Sequence, residues 1–257
     1  MVIIEKLYIE KLPVLHIVKE NAQTESVPLV IFIHGFTSAK EMNLQYAYLM
    51  AERGLRVVLP DVALHGERSK NIPLRELSLH FWSIVLQTIS EIEQIKEHFE
   101  NKNLLNSVKT GVAGTSLGGI TTLGALTQYP WIAAAVSLMG DPAYGKMLER
   151  QISGMKQQSN DLPMTEMEIQ EQAASLRKYD LSIHTELLKQ RPLLFWHGEK
   201  DQVVPIQQAT LFYEKVKPAY KKHPENIQFI TDPHAEHKVS MEGMFAAAEW
   251  LAQHLKA

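Results

Sequence analysis

Residues 111–120 read GVAGTSLGGI. An apolar run closes at Val112-Ala113, a helical pattern opens at Leu117, and Ser116 stands between them with Gly114, Gly118 and Gly119 around it. Residues 114–118 match G-x-S-x-G, a pattern that a chain of this length shows by chance about one time in ten. The setting therefore carries the weight. A strand that turns sharply into a helix lifts the serine hydroxyl above the sheet edge and aims the first helical amides at the same point. The flanking positions must be small because the turn brings their backbone against the helix and the neighbouring strand. This setting predicts Ser116 as a nucleophile and the Leu117 amide as one donor to a developing oxyanion.

Outward from this turn, short apolar runs alternate with amphipathic ones. Runs rich in Val, Ile and Leu cover 28–35, 55–61, 108–114, 132–140 and 192–198, and 226–232 adds another. Such runs predict strands buried on both faces. Two further strands, 2–10 and 12–20, pair around Lys11 and Leu12. Helical patterns fall at 41–53, 74–100, 117–129, 206–216 and 240–255, the second carrying a broad apolar stripe from Leu79 to Ile95. The alternation predicts an α/β fold with a mostly parallel twisted sheet and helices on both faces. Ligands in such folds bind beyond the carboxyl ends of the strands.

Residues 141–190 break the alternation. They contain no strand pattern, are rich in Met and Gln, and carry a turn signal, SNDLP, at 159–163. Two or three short helices fit there, either as plain decoration or as a cap over a pocket.

Composition narrows the possibilities. The chain has 257 residues, 45% of them hydrophobic, which suffices for one sizeable core and a single domain over 1–257. With 26 basic and 29 acidic residues, the balance gives no electrostatic reason for a nucleic-acid or anionic-membrane partner. No cysteine is present, so disulfides, thiolate metal sites and a cysteine nucleophile are excluded. Charges at Glu5, Lys6, Glu10 and Lys11 interrupt the apolar start, and no run approaches the roughly 20 apolar residues of a membrane span. A cytoplasmic protein is the expectation.

A serine nucleophile needs a base, and the base needs an acid to hold it. In the strand–serine–helix architecture these follow the serine as acid, then histidine. EKDQVVP after the 192–198 run places Asp201 beyond a strand end, with Glu199 close by. PHAEHKVS after the 226–232 run places His234 and His237 beyond the next, with Asp232 at the strand end itself. Serine, acid and histidine thus fall on successive strand ends on one side of the sheet.

With these residues in view, the chain resembles the α/β-hydrolase family. It is most similar to the small serine esterases grouped with prolyl oligopeptidase and dienelactone hydrolase. The resemblance runs over nearly the whole chain, through HGFTSAKE (34–41), LPDVALHGER (59–68), GTSLGG (114–119), HGEKDQVVP (197–205) and HAEHKVS (234–240). It implies Ser116 as nucleophile, Asp201 as acid and His237 rather than His234 as base, by the spacing to the last helix. It assigns Phe36 as the second oxyanion donor. The activity implied is hydrolysis of carboxylic esters through an acyl-enzyme, with no cofactor or metal, and the Met-rich, moderately apolar surroundings point to a small or medium acyl group. Dienelactone hydrolases use a cysteine nucleophile, which this chain lacks, and the propeller domain of the large peptidases has no counterpart here.

The remaining polar residues have simpler readings. His34 bonds locally to hold its loop, and Asp61, His65, Glu67 and Arg68 form a hydrogen-bonded scaffold rather than a metal site. His16, His80, His98, His184, His223 and His254 read as surface or satisfied core groups, and Trp82, Trp131, Trp196 and Trp250 as core. Competing functions are a thioesterase, amidase or small peptidase with the same machinery, or a hydrolase-fold receptor that binds without turnover. A phosphate-cradling loop ranks last, because GTSLGG lacks the lysine and spacing such loops need.

Overall fold

The eight apolar runs become the strands of one sheet in a computed structural model that describes residues 1–158 and 164–256. They are β1 (Val2–Ile9), β2 (Leu12–Lys19), β3 (Leu29–Ile33), β4 (Arg56–Pro60), β5 (Thr110–Thr115), β6 (Ile132–Leu138), β7 (Leu193–Gly198) and β8 (Ile227–Asp232). Their order across the sheet is β1-β2-β4-β3-β5-β6-β7-β8. The pairs β1–β2 and β2–β4 are antiparallel, and every other pair is parallel. This is the α/β-hydrolase arrangement, a mostly parallel sheet covered by helices.

Central strands are apolar throughout because both faces are covered. In β3, Leu29, Ile31 and Ile33 face one core while Val30 and Phe32 face the other. The helices α1 (Leu44–Glu52) and α8 (Met241–Lys256) cover the second face, through Tyr46, Met50, Trp250 and Leu251. The first face is covered by α3 (Phe81–Asn101), α4 (Leu117–Gln128) and α7 (Gln207–Val216), through Ile89, Ile120, Leu123 and Phe212. The two outermost strands depart from the pattern. β1 is half exposed, and β8 exposes Gln228 and Thr231, because an edge strand has a neighbour on one side alone.

Two helical runs are interrupted. The 41–53 pattern opens as a 3-10 turn, Lys40–Asn43, before α1 begins. The 74–100 pattern splits at His80 (φ −87°, ψ 0°) into α2 (Leu74–Leu79) and α3. Ser78 and Ser83 hydroxyls bond the Leu74 and His80 carbonyls there, competing with the regular ladder. Between β6 and β7 the described residues form α5 (Tyr144–Gln158), α6 (Glu166–Arg177) and a 3-10 turn, Thr185–Leu188. The helix α6 opens on a capping box between Thr165 and Glu168. The turn signal at 159–163 lies outside the described residues. Among those described, no helix is long and apolar enough to cross a membrane.

The strand order locates the crevice. From β3 the chain runs to β4 on one side, and from β5 to β6 on the other. The loops after β3 and β5 therefore leave adjacent strands toward opposite sides, the place where open α/β sheets bind ligands beyond their carboxyl ends.

Candidate active site

Ser116 sits at the head of β5 with φ 53° and ψ −114°, a backbone conformation that L-residues avoid. Packing on every side enforces it. The Ser116 amide donates to the Leu138 carbonyl at 2.7 Å, tying the turn to the end of β6. A Cβ on Gly118 would fall on the Ile33 carbonyl oxygen, and one on Gly114 would lie 2.5 Å from the Gly118 backbone. The helix α4 can start here because these two positions carry no side chain.

Two loops bring partners to the serine. Asp201 follows β7 and His237 follows β8, and the loops are laced by bonds from Glu199 N to Asp232 O (2.9 Å) and from Lys200 N to Ala235 O (3.1 Å). The His237 Nε2 atom lies 2.8 Å from Ser116 Oγ, and its Nδ1 lies 2.6 Å from Asp201 Oδ2. Asp201 is fully buried, and its Oδ1 accepts the Val203 and Val204 amides at 2.9 Å each. His197 donates to the Val204 carbonyl at 2.7 Å and sits 3.4 Å from Asp201 Oδ2. Burial alone would raise the Asp201 pKa. The bonds from His197, His237 and the Val204 amide outweigh it and hold the carboxyl well below the usual carboxylate range. His234 is exposed and its amide is capped by Asp232 Oδ1 at 2.9 Å, while Glu199 accepts from Thr231 at the surface.

The loop after β3 lies against the same turn. A Cβ on Gly35 would sit 3.5 Å from Ser116 Cβ. Leu117, first residue of α4, has an amide with no intrahelical acceptor. Phe36 follows Gly35, so its amide and that of Leu117 come from the chain that follows β3 and β5.

Beneath this loop is a polar scaffold. His34 Nδ1 donates to the Gly35 carbonyl at 2.7 Å, so its Nε2 is the lone pair that accepts the Val62 amide at 3.1 Å. Burial pushes the His34 pKa down to about 4, which keeps it neutral in that role. Lys40 is fully buried. Its ammonium meets Asp61 Oδ2 and Glu67 Oε1 at 2.6 Å and Glu41 at 2.9 Å. Asp61 also accepts the Lys40 and Glu67 amides at 3.0 Å. Glu67 reaches on to Lys6 and Tyr8, and its bonds to Lys40, Lys6 and Tyr8 pull its pKa down to about 2. Arg68 forks onto Glu91. Gly66 is required at φ 54°, because a Cβ there would overlap the Asp61 carboxylate.

Sequence reasoning passed over Lys40 and His197. A lone lysine in a polar loop reads as solvated, and a histidine at the end of an apolar strand reads as core. The signal for Lys40 was its place in HGFTSAKE opposite the acid-rich 61–67 loop, which pattern reading does not pair. Among the described residues the Nε2 atoms of His98 and His254, two half-buried histidines, have no hydrogen-bond partner.

Comparison with known proteins agrees with this architecture. Residues 41–257 match the model of the prolyl oligopeptidase family. The chain is 49% identical to YitV of Bacillus subtilis (strain 168), a protein named as an esterase, over 99% of this chain and 100% of that one. It is 30% identical to the esterase YjfP of Escherichia coli (strain K12), again over 99% and 100% of the two chains. Among solved structures, TT1662 from Thermus thermophilus superposes with a TM-score of 0.78 at 21% identity, covering 100% of this chain and 99% of that one. With the strained serine at a strand–helix turn and relatives matched end to end, the chain belongs to the prolyl oligopeptidase family of α/β hydrolases.

Proposed function

We propose that the protein is a serine carboxylesterase acting on small to medium acyl esters, with Ser116 as nucleophile, His237 as base and Asp201 as its orienting acid. The observation that carries this reading is the single imidazole bonded at 2.8 Å to the serine hydroxyl and at 2.6 Å to a buried carboxylate. His237 takes the hydroxyl proton as Ser116 Oγ attacks the ester carbonyl. Asp201, held ionised by its own donors, orients the ring and stabilises the imidazolium. The amides of Phe36 and Leu117 receive the oxyanion. Collapse of the tetrahedral adduct breaks the C–O bond, and His237 returns the proton to the departing alcohol. Water, deprotonated by the same histidine, then attacks the acyl-enzyme and releases the acid.

The chemistry as written needs no cofactor or metal. Ester over peptide or thioester is supported by the names of YitV and YjfP. The helices between β6 and β7 belong to the proposal as a cap on one catalytic domain. Intact-mass labelling with a fluorophosphonate tests the reading on the wild type, Ser116→Ala, His237→Ala and His234→Ala. One adduct is expected, absent in Ser116→Ala and strongly slowed in His237→Ala but not His234→Ala. No adduct on the folded wild type would favour a receptor without turnover.

A further inference from the structure

The proposed oxyanion donor at Phe36 sits between two peptide groups, the first held from within its own loop and the second from the loop after β4. The carbonyl of the preceding peptide, Gly35 O, accepts from His34 Nδ1 and from the Ser38 amide at 3.2 Å. Because the Gly35 carbonyl and the Phe36 N–H share one plane, fixing the oxygen fixes the direction of the donor. The next peptide, between Phe36 and Thr37, is held by His65. Its Nε2 lies 3.0 Å from the Thr37 amide, while its Nδ1 lies 2.8 Å from the Ala63 carbonyl. A carbonyl can only accept, so Nδ1 carries the proton and Nε2 is the lone pair that receives the Thr37 N–H.

Thr37 makes that acceptor necessary. It is β-branched and lies at φ 63°, in the left-handed region that such residues avoid. A strained residue persists where its surroundings over-determine it. Thr37 itself is exposed, and its hydroxyl turns back to the Phe36 carbonyl at 2.6 Å. The restraint from the protein body comes from His65, which is 4% exposed and also packs edge-on against the Phe36 ring at 5.2 Å. Burial pushes its pKa down, in keeping with a neutral acceptor.

We propose that His65 is a positioning residue for the reaction: its Nε2 holds the Phe36–Thr37 peptide and its ring holds the Phe36 side chain, so that the Phe36 amide points at the oxyanion. This rests on the esterase reading above, and its signature is a loss of kcat with KM preserved. The acceptor gains importance as charge develops on the carbonyl oxygen, not when the neutral ester binds.

Two substitutions separate the two nitrogens. His65→Asn keeps a donor near the Nδ1 position and loses the acceptor. His65→Gln can place its amide oxygen near the Nε2 position. On p-nitrophenyl acetate, with active sites counted by fluorophosphonate, His65→Asn is expected to lose about 10- to 100-fold in kcat, with KM within about twofold, and His65→Gln to recover most of that loss. Affinity for phenylboronic acid, which forms a tetrahedral adduct on serine, should fall with kcat. Equal losses in both variants that track melting temperature, or a change confined to KM, would overturn the proposal. So would an Nε2-protonated His65 in long-range 1H–15N spectra of the wild type, a readout that needs no variant to fold. Failure of the wild type to take up the fluorophosphonate removes the esterase reading and this one together. Normal uptake with unchanged kcat in both variants removes this one alone.

Discussion

The Lys40 ammonium and the Asp61 carboxylate meet at 2.6 Å with neither side chain exposed to solvent. Lys40 opens the 3-10 turn that leads into α1, and Asp61 follows β4, so the pair fastens the loop after β3 to the loop after β4. Replacing one partner of a buried pair leaves the other charge without compensation, which costs about 3–5 kcal/mol. Lys40→Met should therefore lower stability by about 3 kcal/mol in urea titrations, because the buried Asp61 carboxylate loses its cation and keeps two amide donors, while Glu67 retains Lys6 and Tyr8. A loss below about 1 kcal/mol, the range of surface pairs, would mean that water reaches the cluster.

Two glycines in helices make opposite predictions. Gly118 faces the Ile33 carbonyl, a backbone atom that cannot swing aside, so Gly118→Ala must displace α4 or β3. A loss of about 1–3 kcal/mol is expected, together with a fall in kcat, because the displaced helix carries Ser116 with it. Among the described residues, Gly154, inside α5, has no heavy atom within 4 Å of a Cβ placed on it. Gly154→Ala should gain up to about 1 kcal/mol from helix propensity, or about 2–4 °C in melting temperature for a chain of this size. Calorimetry on the two variants checks both signs.

The same contrast shows what the sequence could reveal. Strand positions were legible because a strand buried on both faces must be apolar throughout, and residues 29–33 are. The close packing at Gly114 and Gly118 was legible because no other residue leaves space there. The order β1-β2-β4-β3-β5 was not, since it depends on which strands pair at long range. Nor was the break at His80, where neither glycine nor proline marks the helix end. Lys40 stayed hidden for a related reason. Its three carboxylates come from position 41 and from a loop more than twenty residues on, and nothing local distinguishes it from a solvated lysine. His237 could be separated from His234 by its spacing to the last helix, and in the structure it is His237 that lies within bonding distance of both Ser116 and Asp201.

On the proposed mechanism, Asp201→Asn isolates the contribution of the acid. Its Oδ1 is already occupied by two amides, which leaves Oδ2 to face His237 Nδ1. An amide there favours the wrong tautomer of the histidine and removes the charge opposite the imidazolium. A fall in kcat of about 10³- to 10⁴-fold is expected, with residual turnover from the oxyanion donors. Fluorophosphonate should still label the variant slowly at Ser116. A loss of less than about tenfold would move the role of acid elsewhere.

Stability should fall with acidification well before the carboxylates titrate. The His34 pKa is about 4 in the folded chain, against 6.5 for the free group. Below pH 6.5 the unfolded chain takes up a proton that the folded chain refuses, so stability declines as pH drops from 6.5 to 4 and levels off beyond. At about 1.4 kcal/mol per pH unit, the His34 contribution over that interval is about 3 kcal/mol. Burial lowers the values of His16 and His65 as well, adding to the same slope. Asp141 works against it, since burial raises its value and folding is relieved when it takes a proton. The depressed carboxylates of Asp201 and Glu67 lose their contribution later, from the unfolded carboxylate value near 4 downward. Urea midpoints between pH 7.5 and 4.5 should therefore drop for the wild type, and more gently for His34→Gln, which cannot take the proton. Parallel slopes for the two would show that His34 does not carry the acid sensitivity.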